Sequence, residues 1–226
     1  MRIAVRYQAR PMALADISQV MEIERESFPS MWPPTAFRRE LQQNRLARYM
    51  VAVQPNPSAP RPEPPAAPPA YETSRVGRLL GELRHMLSGE EEPPLPPPEE
   101  RPELVVGFIG VWLLPDEAHI VTVAVRDSHR REGIGEYLVI AAIELAQIQS
   151  QPLVTLECRV SNEPALKLYE KYGFQQLGLR PRYYSDNHED AFILTTTSVL
   201  SRKFREEFER LKALHRRRWG DFESYL

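Results

Sequence analysis

Apolar residues first recur at helical spacing in Leu14, Ile17, Val20 and Met21, which predicts a helix over residues 13–26. Runs rich in Val, Ile and Phe then predict strands over 48–54 and 104–114. A strand over 119–125, a helix over 135–149 with Leu138, Ala141, Leu145 and Ile148 facing inward, and a strand over 153–160 make a β-loop-α-β unit. The next helix, over 162–172, has its own punctuation: Asn162 is a fair N-cap, Pro164 sits in the tolerated first turn and Gly173 supplies the stop. Strands over 174–179 and 190–197, joined through a Tyr183-Tyr184 loop, close the sheet. Beyond them, Leu200, Phe204, Phe208, Leu211 and His215 predict a long helix over 199–219.

Composition changes this picture in one place. The 226 residues include 22 Pro and only 10 Gly, and fourteen of the prolines fall between Pro55 and Pro102. Such density excludes a packed core there and predicts a largely flexible insert over 54–103 that interrupts a hairpin. Within it, Val76, Leu79, Leu80, Leu83 and Leu87 share one helical face, so a short amphipathic helix is expected near 75–88. The predicted organisation is one domain over 1–53 and 104–198, the insert, and a helical extension over 199–226.

Charge and cysteine usage exclude several classes. A net charge of −2 gives no basic field for a nucleic-acid duplex. No apolar run reaches the ~18–20 residues of a membrane span, and the opening residues have no signal-peptide core, so a cytoplasmic location is expected. The single cysteine, Cys158, excludes an internal disulfide; on the apolar face of its strand it reads as a small buried hydrophobe. His119 has no second ligand at metal spacing, so no metal is expected. The extension, with eight Lys/Arg against three Glu over 202–218, and the acidic insert read as solvated faces. A monomer is expected.

Candidate chemistry begins where the strand over 119–125 leads into Arg130-Arg131-Glu132-Gly133-Ile134-Gly135 and a helix starts. Glycines let a ligand approach the backbone, and the first N–H groups of a helix are unpaired and dipole-positive, so a pyrophosphate fits. A side chain at Gly133 is expected to fill the phosphate space. The Lys-Ser/Thr ending of a nucleotide-hydrolase loop is missing, as is the third glycine of a dinucleotide fingerprint. A plain Gly-containing turn with solvated arginines stays open at this level. Along 153–160 the alternation sends Thr155, Glu157 and Arg159 away from the apolar layer. Tyr169, twelve residues after Glu157, lies on the returning helix, where a carboxylate and a phenol can face one cleft; a half-exposed Glu and a partly buried Tyr is the plainer alternative.

These segments together resemble one family. The phosphate loop, Leu156-Glu157-Cys158-Arg159-Val160-Ser161-Asn162, Leu168-Tyr169-Glu170, and Arg182-Tyr183-Tyr184 with Glu189-Asp190-Ala191 are similar to the GNAT N-acetyltransferases, in particular the branch that acetylates the N-terminal alanine of a ribosomal protein. The resemblance spans about 10–53 and 104–197, with Ile23-Glu24, Phe28-Pro29 and Trp32 similar to the substrate-side segment. It implies a mixed α/β (α+β) fold whose central strands splay to admit acetyl-CoA. Pantetheine is placed along Val123, Ala124 and Val125, and pyrophosphate on Arg130, Arg131, Glu132, Gly133, Ile134, Gly135 and Glu136. The same resemblance assigns Asn162 to the cofactor arm, Glu157 as general base and Tyr169 as general acid, with Glu24, Tyr183 and Tyr184 on the substrate side.

Transfer from a thioester to an amine needs a neutral amine, an oxyanion donor and a proton for the thiolate. An α-amino group with pKa about 8 is roughly one-tenth neutral at pH 7, a lysine about four parts in ten thousand, so a modest base suffices for a chain terminus. Glu157, ordinarily near ~4.3, is expected either to be raised by burial or to act through a water. Tyr169, ordinarily near ~10, lies within about two units of a thiol. Glu22, Glu24, Glu26, Glu189 and Asp190 either draw a cationic terminus or, for most, are solvated surface. The expected activity is acetylation of the N-terminal alanine of a small-subunit ribosomal protein. Lysine side chains or small amines as acceptors, and a noncatalytic interaction module, are the alternatives.

Overall fold

The computed structural model describes residues 6–29, 32–54 and 103–224. The insert and its expected helix near 75–88 lie outside the described residues. The elements, in chain order, are β1 (Tyr7–Pro11), a 3-10 turn (Leu14–Asp16), α1 (Ile17–Ser27), α2 (Pro34–Gln42), β2 (Ala47–Gln54), β3 (Leu104–Leu113) and β4 (Glu117–Val125). Then follow α3 (Ile134–Ile148), β5 (Leu153–Arg159), α4 (Glu163–Lys171), β6 (Phe174–Arg180), β7 (Ala191–Thr196), α5 (Arg202–Trp219) and β8 (Phe222–Ser224).

One eight-stranded mixed sheet runs β6-β7-β5-β4-β3-β2-β1-β8. β2 and β3 are antiparallel, and Gln54 and Leu104 face one another in register, so the insert departs from and returns to adjacent positions of the expected hairpin. β4 and β5 are the parallel pair of the β-loop-α-β unit. One face of the sheet is covered by α1 and α2, whose Ile17, Val20, Ile23 and Phe37 pack with Tyr49, Val51, Val105 and Phe108. Val106, Ile109, Val111, Ala118, Ile120, Val154, Leu156 and Cys158 supply the other face, under α3.

α3 is apolar on nearly every side, with Tyr137 through Ile143 all buried, so the sheet alone cannot satisfy it. α5 covers what remains. Phe208, Leu211 and His215 are buried beneath it, Lys212 Nζ meets Glu144 Oε1 at 2.7 Å, and Ser201 caps its start through Phe204 N–H. Gly220, at φ +93°, ends α5, and the chain turns into β8, which adds parallel to β1. Among the described residues no helix is long and apolar enough to cross a membrane.

The elements differ from expectation at the edges of the sheet. β1, β8 and α2 carry no clear period. β1 buries Gln8 and Arg10 among its apolar positions, because Arg10 forms a paired contact with fully buried Asp16 at 2.8 and 3.0 Å and reaches Glu103 at 3.0 Å. The helix expected over 13–26 opens as a 3-10 turn, since Asp16 Oδ2 accepts from Ala13 N–H at 2.7 Å. Ile148, expected inward, is 61% exposed because α3 ends beyond the edge of its cover.

Candidate active site

The site begins where two strands part. β4 and β5 pair only from Glu117–Leu153 to Ile120–Leu156, and opposite Gly110 and Val111 the register of β4 slips, leaving Val121 as the extra residue. A bulge bends and twists its strand, and here it carries β4 away from β5. Val123, Ala124 and Val125 stay paired with Ile109, Phe108 and Gly107 on one side, while their other edge has no strand partner among the described residues. Glu157 is the first residue of β5 past the last paired position.

At the end of β4 the chain passes through Arg130 and Arg131 to α3. Arg131 is at φ +64° and Gly133 at φ +82°; the left-handed region costs a non-glycine residue about 1–2 kcal/mol, so the turn is held by its surroundings. The amides of 131–133 meet no acceptor among the described residues, and those of 134–136 form the open first turn of α3. Several side chains of the turn are engaged by their own partners. Glu132 accepts from Arg6 and from Tyr7, whose hydroxyl is pushed up to about 12 by burial and then by this carboxylate. Glu136 accepts from Lys171 and Tyr172, while Arg130 pairs with Asp127 at 2.6 Å. The expectation for Gly133 needs correction: a Cβ there would lie 2.6 Å from the Trp219 indole, so a side chain would strike α5. Gly135 has room, with Val125 Cγ2 at 3.6 Å from an added Cβ.

Glu157 lies on the α1–α2 side of the sheet, since its neighbours Leu156 and Cys158 belong to the layer under α3. Its side chain is only 8% exposed. His119 Nε2 stands 3.2 Å from Oε2, and Arg180 Nε donates to Oε1 at 2.9 Å. The hydrogen bond with His119 leads, and the His119 and Arg180 charges add to it; together they outweigh burial and hold Glu157 below the usual carboxylate range. The expected upward shift by burial is therefore reversed. His119 is the neighbour that sequence reasoning did not connect: it faces Thr155 in register, and its Nδ1 lies 2.8 Å from Thr155 Oγ1.

Tyr169 comes from the opposite side. It is buried in the layer under α3, with its ring 5.5 Å from that of Phe174, and burial pushes its hydroxyl well above the ordinary tyrosine value. The gap to a thiol is wider than expected. Burial pushes the Tyr184 hydroxyl up to about 12. Arg159 stacks over the Tyr184 ring at 3.8 Å and binds Asp186 and Glu189 at 2.8 and 3.1 Å, which anchors the loop to the end of β5. The Tyr183 ring packs edge-on against that of Tyr184 at 5.1 Å.

The acidic residues divide. Glu24 is buried, not solvated; it accepts from Trp32 N–H at 3.0 Å, and burial raises its pKa. Glu22 and Glu26 are spent on Arg126 and the Asp127 N–H, Asp190 on the Arg182 N–H, and Glu189, drawn down to about 2 first by the Ser161 side chain and then by its N–H, on Ser161 and Arg159. Asn162 caps α4, accepting from Ala165 N–H at 3.3 Å. Cys158 is buried, its thiol pushed up to about 11 by burial, and so is no nucleophile at neutral pH.

Known proteins share this architecture. A model of the acetyltransferase (GNAT) family matches residues 62–174. A Bacillus subtilis protein provisionally assigned as a ribosomal protein bS18-alanine N-acetyltransferase is 31% identical over 188 residues, 83% of this chain and 93% of its own length. An N-alpha-acetyltransferase of Sulfurisphaera tokodaii is 27% identical over 192 residues, 83% of this chain and 91% of its own. The crystal structure of the ribosomal-protein-S18-alanine N-acetyltransferase of Escherichia coli superposes with a TM-score of 0.59 at 20% identity, covering 85% of this chain and 94% of that one, a likeness of fold.

Proposed function

The chain belongs to the GNAT acetyltransferase family, and from that premise we propose that it acetylates the α-amino group of a protein N-terminus, the acceptor being the N-terminal alanine of a small-subunit ribosomal protein. The observation that carries this reading is the parting of β4 and β5, with Glu157 just past the last paired position on one face of the sheet and Tyr169 buried in the layer on the other. The names of two relatives of nearly the same length, one an N-alpha-acetyltransferase, support the acceptor class.

The residues present suit acetyl-CoA: a turn whose amides meet no acceptor among the described residues, at the dipole-positive end of a fifteen-residue helix, fits a diphosphate. When bound, acetyl-CoA supplies an activated acetyl thioester. The amides of 131–136 would hold its diphosphate, and the unpaired edge of β4 over Val123–Val125 would offer N–H groups to the pantetheine arm and the thioester oxygen. Asn162 contributes by fixing the start of α4, on which Tyr169 rides. Glu24, Tyr183 and Tyr184 border the acceptor's approach.

Glu157, kept ionised by His119 and Arg180, attracts a protonated terminus but is too weak a base to take its proton outright. The proton passes to a water held by the carboxylate, while His119, fixed between Glu157 and Thr155, orients that carboxylate. Tyr169 O–H, raised by burial, serves as a hydrogen-bond donor to the departing sulfur more readily than as a full proton source.

A panel of Ala-, Ser- and Met-initiated peptides, beside a terminally blocked lysine peptide, tests the acceptor class. Incubation with acetyl-CoA and mass spectrometry should show a mass gain at the α-amine of the Ala-initiated peptide first and none on the blocked one. Modification of the blocked peptide alone would assign the enzyme to side-chain amines.

A further inference from the structure

The turn over 131–136 is supported from both termini of the chain. On one flank Glu132 is bound by Arg6 and Tyr7 at the start of β1. On the other, buried His215 of α5 lies with Nε2 2.9 Å from the Gly133 carbonyl oxygen, and since a carbonyl only accepts, Nε2 carries the proton. The same carbonyl accepts the first helical bond of α3, from Tyr137 N–H at 2.9 Å. The Trp219 indole lies flush against Gly133, close enough that an added Cβ would meet it at 2.6 Å. The His215 ring stacks on Tyr137 at 6.3 Å and meets Phe222 edge-on at 4.7 Å. Tyr137 O–H in turn donates to the Glu223 carbonyl of β8 and accepts from Ala9 N–H of β1.

We propose that the C-terminal segment from Leu211 to Ser224 is a built-in clasp that presets the diphosphate-binding turn, with His215 and Trp219 as positioning residues for coenzyme affinity. The inference rests on the coenzyme reading of the turn given above. Two left-handed residues in one short turn have to be held in place before a ligand can use the amides between them. If the holding contacts are lost, part of the ligand's binding energy is spent on ordering the turn, and affinity falls accordingly. His215 touches neither the amides nor the parting of β4 and β5, so its effect runs through Gly133.

Calorimetric titration of the full chain with CoA tests this. His215→Phe keeps the ring volume and loses the donor, so CoA binding should weaken about ten-fold, the loss of one buried hydrogen bond. Trp219→Ala should weaken it comparably. His215→Gln, whose amide still reaches a carbonyl, should stay within about two-fold of wild type, and so should Leu214→Ala, on the exposed side of the same helix. Hydrogen exchange in His215→Phe should accelerate at 131–137 and stay unchanged in β5, a local loosening that a general loss of stability would not give. Wild-type affinity in both His215→Phe and Trp219→Ala would overturn the clasp while leaving the turn its coenzyme. No heat from the wild-type protein would overturn the reading of the turn, and the clasp with it.

Discussion

The two faces of the sheet meet the same parting of strands with different materials. On the α1–α2 side lie Glu157, His119, Arg180 and the buried Glu24, all ionisable. On the α3–α5 side lie the open amides at the start of α3 and the buried rings of Tyr169, Tyr172 and Phe174. Backbone groups suit a ligand whose handle never changes, because they are indifferent to side-chain substitution. An acceptor that must be selected from many amines calls for side chains whose charge and shape can be set one at a time. The difference predicts that substitutions on the two faces fail in different ways.

The sharpest break is Glu157→Gln, which keeps the contact with Arg180 but cannot ionise. Turnover should fall about 10²–10³-fold while CoA affinity stays put, read by steady-state kinetics beside calorimetry. An equal fall in CoA affinity would erase the distinction between the faces. On the other face, Leu138→Ala removes a fully buried side chain between sheet and helix and should cost about 2–5 kcal/mol in denaturant unfolding. Asn162→Ala, which deletes the cap of α4, should cost about 1 kcal/mol by the same measurement.

A smaller, directional effect sharpens the electrostatics. Arg180→Ala removes one of the two partners that depress Glu157, so the carboxyl should titrate at higher pH than in wild type, seen by carbon-detected NMR of the labelled side chain. The sign follows from linkage: a depressed carboxylate stabilises the fold above its unfolded pKa, and that contribution disappears as pH falls through the folded one. In Arg180→Ala the loss should begin at higher pH. His215 runs the same way for a different reason. Burial lowers its pKa below the ordinary 6.5, so acidification from about 6.5 downward favours an undocked α5, with Lys171 and Arg216 adding to the penalty of a charged ring.

The central elements are legible in the sequence because β2, β3 and α3, buried on both faces or nearly all round, are long apolar runs, while β4 alternates. The loop glycines, Glu157, Tyr169 and the Tyr183-Tyr184 pair stand in short patterns whose chemistry reads directly. β1 is not legible, since Gln8 and Arg10 are buried with the help of Glu223 and Glu103, which no local window contains. β8 is three residues long, and α2 shows a period only through Phe37 and Leu41. His119 was visible as a histidine but not as the neighbour of Glu157; the signal is that both occupy odd positions of paired parallel strands, which becomes a contact only when the register is known. The reason Gly133 must be glycine lies 86 residues downstream in Trp219, where no motif points.

The face-to-face register of Gln54 and Leu104 makes the proline-rich insertion a removable ornament as far as the pairing of the sheet is concerned. Closure cost grows only slowly with loop length, so a tight two-residue turn, an affinity tag or an entire foreign module spliced at this seam should leave the catalytic half of the molecule intact.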